Sequence, residues 1–280
     1  MTNTAGQPLG LVDDVKQRVE RLELPFGKSG IDPYGISKKE LVRFFTMLGA
    51  MHRHYFHVEH HGLHNVPQSG RAMLVGNHSG GVALDAGMTI AAMFFELEPP
   101  RLCHAMVEKF LSRLPFAGMW GSRCGQMVGL PEHAVRLLED DRLVLVFPEG
   151  SHGTEKLYTE RHSLVDFGTG FMRLALQTGA PNVPFAFLGG GDAIPTIFNA
   201  YKLGQLFGAP YIPFTPWILP VPLPTRLDVI VDEPMRFSGN GSEEDDVIDG
   251  YVEQVKSKIA ALIEEGRRLR GELPAVGSTT

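Results

Sequence analysis

Apolar residues recur at helical spacing from Leu11 to Leu24, at Leu11, Val12, Val15, Val19 and Leu22. Asp13 and Asp14 fall in the first turn, where negative charge suits the helix dipole. The stretch PFGKSGIDPYGI carries the Gly and Pro of a linker. Ser37-Lys38-Lys39-Glu40 then reads as a capping box and predicts a second helix reaching the mid-fifties. Its stripe of Leu41, Phe44, Phe45, Leu48, Met51 and Tyr55 is flanked by Lys38, Lys39, Arg43 and Arg53. Such a basic amphipathic helix suits either packing on the domain or resting on lipid. From Ala72 the pattern changes. Short unbroken apolar runs at Ala72–Gly76, Leu143–Phe147, Val183–Leu188 and Leu227–Val231 read as buried strands. Between and after them, Ala86–Phe95, Pro131–Glu139, Gly170–Thr178 and Val247 to about Arg270 read as helices, the third ended by Gly179. Unbroken strands alternating with helices predict an α/β fold: a mostly parallel central sheet covered by helices on both faces, with an N-terminal helical segment. The expected division is a segment at 1–57 suited to membrane contact, a main domain at 58–270 and a flexible tail at 271–280. Tyr211–Pro224 is apolar but interrupted by five prolines, so it is expected to be a rigid loop against a ligand or a lipid surface.

Composition narrows the partners. The chain has 280 residues, with 26 basic against 32 acidic side chains and a net charge of −6, which argues against nucleic acid as the main partner. Two cysteines, Cys103 and Cys124, make no disulfide framework and fit a reducing compartment. The N-terminus lacks an apolar signal core, and no run approaches the roughly 20 apolar residues of a spanning helix. The expectation is a cytoplasmic protein, soluble or peripherally associated with a membrane.

Two turns carry chemistry. Gly76-Asn77-His78-Ser79-Gly80-Gly81 follows a strand, which puts a histidine at the carboxyl edge of the sheet where open α/β folds bind ligands. Histidine takes a proton near neutral pH, and a carboxylate such as Asp85 would fix its tautomer. Phe147-Pro148-Glu149-Gly150-Ser151-His152-Gly153 follows another strand and brings Glu149 to the same edge. Each alone also reads as an ordinary loop, with Asp85 or Ser151 as a helix cap.

Together the two turns resemble the phospholipid/glycerol acyltransferase family, in which they appear as Asn-His-x-x-x-x-Asp and Phe-Pro-Glu-Gly-Thr-Arg. The resemblance runs from Val58 to Phe237 and includes Gly62–Pro67, Gly170–Ala175, Gly179-Ala180-Pro181, Val183-Pro184 and Asp232-Glu233-Pro234. It implies transfer of a fatty acyl group from acyl-CoA or acyl-carrier protein to a glycerolipid hydroxyl, without metal or organic cofactor. The implied partners are a lipid acceptor, an acyl thioester and a membrane surface. His78 and Asp85 would be catalytic. Asn77, Ser79, Gly80, Gly81, Arg123, Phe147, Pro148, Glu149, Gly150, Ser151 and Pro184 would meet the substrates, with backbone N–H groups near Gly80–Gly81 or Gly150 holding the oxyanion.

Two departures qualify the match. Asp85 lies seven positions beyond His78 rather than five, and seven residues of continuous helix rise about 10.5 Å, too far for a hydrogen bond. The pair meets only if Ser79-Gly80-Gly81 is non-helical and the helix starts near Asp85. The arginines of members acting on phosphate-bearing acceptors are also missing: their positions hold Pro131 and Ser151-His152. Arg123, Arg136, Lys156 and Arg161 are the candidates to replace them. The pattern is similar to the branch that includes diacylglycerol acyltransferase-like and plant phytyl-ester-forming proteins, so both a lysophosphatidate-type and a neutral acceptor fit.

Other readings carry different expectations. A serine hydrolase would use Ser79 or Ser151, but no Gly-x-Ser-x-Gly elbow is present. A nucleotide site at Gly168–Gly170 or Gly189–Gly191 lacks the third glycine. His52, His54, His57, His60, His61 and His64 crowd thirteen positions, yet follow no single face and read as exposed histidines on a helix end and an edge strand rather than a metal site. A non-catalytic lipid-binding protein remains the alternative from another class.

Overall fold

The computed structural model describes residues 10–79, 84–108 and 117–274. The N-terminal segment forms α1 (Leu11–Glu20) and α2 (Lys38–Ala50), the latter continuing through a π-helical turn at Met51–Tyr55. Among the described residues seven strands form the main sheet: β1 (Glu59–His61), β2 (Ala72–Gly76), β3 (Cys103–Val107), β4 (Met127–Val128), β5 (Leu143–Val146), β6 (Asn182–Leu188) and β9 (Asp228–Val231). Their order is β1-β9-β6-β2-β5-β3-β4. The five from β6 to β4 are mutually parallel; β9 runs antiparallel to β6, and β1 pairs parallel with β9. The mostly parallel sheet expected from the unbroken apolar runs is the one observed.

Helices cover both faces. On one, α1, α2 and α3 (Leu84–Phe95) bury Val15, Phe45, Met88 and Phe94 against Leu74, Phe185 and Phe187. On the other, α5 (Pro131–Glu139), α7 (Gly170–Thr178) and α10 (Asp245–Leu269) bury Leu137, Met172 and Ile259 against Met73, Val75 and Ala186. Alternate residues of one strand thus feed two cores, which is why the strands read as continuous apolar runs. Shorter elements among the described residues include α4 (Ala117–Arg123), α6 (Gly150–Thr154), α8 (Gly190–Ala193), and a separate two-stranded sheet of β7 (Phe198–Ala200) and β8 (Ile212–Phe214) with α9 (Tyr201–Leu206) between them.

Several expectations change in detail. The capping box at Ser37 does not form; the Glu40 carboxylate instead accepts from Trp120 Nε1 (3.1 Å) and Arg43 (2.9 Å). Most of the apolar stripe of α2, Leu41, Phe44, Phe45 and Leu48, is buried inside the protein, with Phe45 stacked on Phe94 at 3.6 Å. That part is not free to rest on lipid, while Tyr55 beyond it stays exposed. The histidine cluster is not wholly exposed either. His52 is buried, and its Nε2 lies 2.9 Å from His60 Nε2, because β1 runs beside the π-helical turn. Burial pushes His52 down to about 3. His52, His60 and Glu96 bring three potential ligand atoms within 4.8 Å of one another, as do Glu59, His61 and Asp228.

Candidate active site

The site forms where two adjacent parallel strands end. β2 and β5 are paired in register, Val75 beside Val146, so the turns that follow them stand side by side although about 70 residues separate them in sequence. Asn77-His78-Ser79 leaves β2, and Phe147-Pro148-Glu149 leaves β5.

His78 and Asp85 meet. The residues described after β2 are non-helical, and α3 begins at Leu84, so Asp85 stands in its first turn. His78 Nδ1 lies 2.9 Å from Asp85 Oδ2. The Asp85 carboxylate also accepts the backbone N–H of Ser79 (3.0 Å) and of Ala86 (2.7 Å). Burial alone would raise the Asp85 pKa, but the facing His78 and the two amides outweigh it and hold the carboxyl below the usual carboxylate range. The seven-residue spacing therefore still yields a close pair. Gly80 and Gly81 lie outside the described residues.

Phe147 stacks on the His78 ring, centroids 4.0 Å apart and planes 15° apart, and meets Phe185 of β6 edge-on. Beneath the ring lies a buried ion pair. Glu149 Oε2 accepts the His78 backbone N–H (2.9 Å), and Glu149 Oε1 accepts the Val165 N–H (3.0 Å). Lys156 Nζ donates to both Glu149 oxygens (2.7 Å each) and to the carbonyl of His78 (2.8 Å). Burial pushes the Lys156 pKa down, opposed by the Glu149 charge. The pair grips the His78 peptide from both sides.

Other expected site residues have structural partners. Asn77 bonds both backbone groups of Phe187, at 3.1 and 2.8 Å, tying the end of β2 to β6. The Pro148 carbonyl accepts the Gly168 N–H. Gly150 takes a left-handed φ of +56°, and its N–H donates to the Phe147 carbonyl at 3.0 Å, so that amide is already engaged in the turn. The Ser151 carbonyl accepts from Thr154, and Ser79 Oγ lies 3.5 Å from Asp85. Pro184 sits inside β6, its carbonyl taken by Asp232 N–H; strand alternation puts it on the face opposite Phe185. Arg123 is exposed at the end of α4, which leads into β4, three strands from β2.

Of the four candidate phosphate-binding cations, Arg123 is exposed and stands away from His78, and the other three are engaged. Lys156 is spent on Glu149, Arg161 pairs with Asp192 at 3.0 Å, and Arg136 lies over the Tyr34 ring. A cavity of about 580 Å³ beside Lys156 is lined by Glu155, Glu160 and Asp166 together with Phe198 and Tyr201. A second, of about 370 Å³, opens beside Phe147 and is walled by Met106, Val107, Leu130 and Phe171, with Glu108 at its side.

Three residues have roles that pattern reading did not give them. Lys156 reads in sequence as a candidate phosphate-binding cation, not as the partner of Glu149. Gly153 leaves room for the ion pair: a Cβ there would stand 2.6 Å from Glu149 Oε2 and 2.7 Å from His78 Cβ. Gly190, at the start of α8, would place a Cβ 1.9 Å from Ser79 Oγ. Only the glycines in the two motif turns hinted at such close approaches.

Residues 57–188 match the family model described as Acyltransferase. The uncharacterized protein Rv0502 of Mycobacterium tuberculosis is 33% identical over 227 residues, covering 78% of this chain and 62% of that protein. The uncharacterized protein ML2427 of Mycobacterium leprae is 33% identical over 216 residues, covering 74% and 57%. The chain thus spans about three fifths of the length of these mycobacterial relatives. A chicken (Gallus gallus) protein named DGAT1/2-independent enzyme synthesizing storage lipids is 25% identical over 252 residues, covering 88% of this chain and 70% of that one. Among solved structures, the 1-acyl-sn-glycerophosphate (LPA) acyltransferase PlsC from Thermotoga maritima shares the fold, with a TM-score of 0.55 at 17% identity over 82% of this chain and 81% of that one.

Proposed function

We propose that this chain, whose residues 57–188 match the acyltransferase family model, moves a fatty acyl group from a thioester to the hydroxyl of a neutral lipid, with His78 as general base. The observation that carries the reading is the 2.9 Å contact between His78 Nδ1 and the buried Asp85 carboxylate. With Nδ1–H held by Asp85, Nε2 is the ring nitrogen left to accept a proton. It takes the proton of the acceptor hydroxyl as that oxygen attacks the thioester carbonyl. The C–S bond then breaks, and the imidazolium returns the proton to the leaving sulfur, so an ester and a free thiol are formed. A thioester is already activated, so the chemistry calls for proximity and a base rather than a cofactor.

Charge favours a neutral acceptor over a phosphorylated one. Arg136, Lys156 and Arg161 are engaged elsewhere. In the larger cavity Glu155, Glu160 and Asp166 outnumber Lys156 and His152, of which Lys156 is already held by Glu149, a balance that disfavours phosphate. The apolar cavity beside Phe147 suits an acyl chain. The name of the chicken relative, a storage-lipid enzyme, agrees with this reading.

An acceptor panel tests it. Purified protein receives labelled oleoyl-CoA or oleoyl-acyl-carrier protein with monoacylglycerol, diacylglycerol, a long-chain alcohol or lysophosphatidate. Transfer to one of the neutral acceptors is expected to exceed transfer to lysophosphatidate. The reverse preference overturns the neutral assignment. Silence with both donors from folded protein overturns acyl transfer and leaves non-catalytic lipid binding.

A further inference from the structure

Between β6 and β9 the chain leaves the sheet for a long excursion, and residues 197–223 of it carry a single charge, Lys202, in 27 positions. Eleven of the nineteen exposed large hydrophobic side chains among the described residues lie in this stretch. The most open form two tips: Leu206 (77% exposed) and Phe207 (66%) at the end of α9, and Ile218 (65%) and Leu219 (63%) beyond β8. Half-exposed Trp217 and Tyr201 lie in the same stretch, side chains with an apolar body and a polar end. A concentration of exposed apolar side chains in one stretch marks an interaction site.

The stretch is held in shape by bonds to the body. Tyr55 Oη donates to the Pro222 carbonyl (2.7 Å), and Asn199 Nδ2 donates to the Glu155 carbonyl (2.6 Å). Within it, Phe198 and Phe214 stack at 4.6 Å, and Thr215 Oγ1 donates to the Leu219 carbonyl (2.8 Å). Ile218 takes a φ of +76°, a costly conformation for a β-branched residue, and still shows its side chain to solvent. Burial within the fold therefore does not account for that conformation.

Its position ties it to the site. β6 runs parallel to β2, so the excursion departs from the sheet edge that carries His78. Its first helix rests Gly190 on Ser79, and Phe198, Asn199 and Tyr201 wall the cavity beside Lys156.

We propose that residues 197–223 form a membrane-docking face, with the tips at Leu206-Phe207 and Ile218-Leu219 entering the apolar part of the bilayer and so bringing the His78 edge to lipid. The proposal rests on the acyl-transfer reading for its choice of a bilayer as occupant: an enzyme whose substrates reside in lipid needs its open edge at the lipid surface. With only Lys202 in the stretch, the attraction is apolar rather than electrostatic.

The test is co-sedimentation with phosphatidylcholine vesicles at low and high salt. Wild-type protein is compared with Leu206→Ser/Phe207→Ser, Ile218→Ser/Leu219→Ser, and Met47→Ser on the exposed side of α2 as control. The protein is expected to bind these uncharged vesicles with little dependence on salt. Each tip pair is expected to lower the partition coefficient at least about tenfold, and the control to leave it unchanged. Circular dichroism confirms that the variants are folded. Transfer between a short-chain acyl thioester and a water-soluble alcohol is measured alongside and is expected to be equal in all four proteins. Vesicle binding through the tips without any acyl transfer keeps the docking face and removes the enzyme. Vesicle binding that the tip variants retain, or no binding by a wild type that the tip substitutions convert from dimer to monomer, overturns the docking face. So does a wild type that stays monomeric and ignores vesicles.

Discussion

The Glu149 carboxylate accepts the backbone N–H of His78 at 2.9 Å, so the acid of the second motif acts on the peptide of the first rather than on its imidazole. Lys156 completes the grip by donating to the His78 carbonyl at 2.8 Å. Both side chains are almost fully buried, where either charge alone would be costly. This makes Glu149 a positioning residue, through which strand β5 dictates where the histidine of β2 stands.

Removing one member of the buried pair strands the other. Glu149→Gln and Lys156→Met are each expected to destabilise the protein by about 3 kcal/mol, and the double variant by less than the sum. Urea denaturation of the four proteins measures the cycle. Strict additivity contradicts the pairing.

Asp85→Asn keeps the size of the side chain but loses the charge that orients the imidazole and stabilises its protonated form. The turnover rate is expected to fall by about 10²–10⁴ with KM little changed. A variant that loses affinity while keeping its rate would assign Asp85 to substrate binding.

Gly153→Ala inserts a methyl group 2.7 Å from His78 Cβ and 2.6 Å from Glu149 Oε2, which neighbouring atoms must yield to accommodate. A stability loss of about 1–3 kcal/mol, with impaired activity, is expected from such overpacking. Gly170→Ala, where no atom lies within 4 Å of the added group, serves as the control and is expected to be harmless. Equal melting temperatures for the two variants would mean that the site is looser than its contacts imply.

His104 is buried in β3, donates Nδ1–H to the Gly125 carbonyl at 2.9 Å, and has no partner for Nε2. Burial pushes its pKa from 6.5 down to about 4. Between those values the unfolded chain binds a proton that the folded chain does not, so stability falls as pH drops through this window. The slope is about 1.4 kcal/mol per pH unit for one such group. Thermal unfolding from pH 7 to pH 4.5 is expected to show the decline, and His104→Gln to remove its share of the slope while buried His52 keeps its own. An unchanged slope in the variant would show that His104 does not titrate in this way.

The sequence displays the strands that feed two cores most plainly. β2, β5, β6 and β9 are unbroken apolar runs because alternate residues enter the clusters of Phe185 and of Met73. β3 is hidden by His104, a polar residue whose burial depends on a carbonyl 21 positions away. β1 shows in the sequence only as an edge strand among the histidines, because Glu59-His60-His61 owes its extended form to the edge of β9. The paired motifs located His78, Asp85 and Glu149, but not what Glu149 holds. Lys156 reads as a candidate to meet phosphate and Gly153 as a residue that turns the chain; their roles beside Glu149 arise only when α6 folds back over the end of β2. The amphipathic pattern of α2 suited packing and a lipid surface alike, and its apolar side faces Phe94. Periodicity shows which side of a helix is apolar and leaves open what covers it.

The most direct measurement is the rate of acyl transfer by wild-type protein and by His78→Ala, with the best acceptor of the panel and both proteins shown to be folded. Loss of the general base is expected to reduce the rate by about 10²–10⁴. A His78→Ala protein that transfers at close to the wild-type rate would contradict the assignment of His78 as the base.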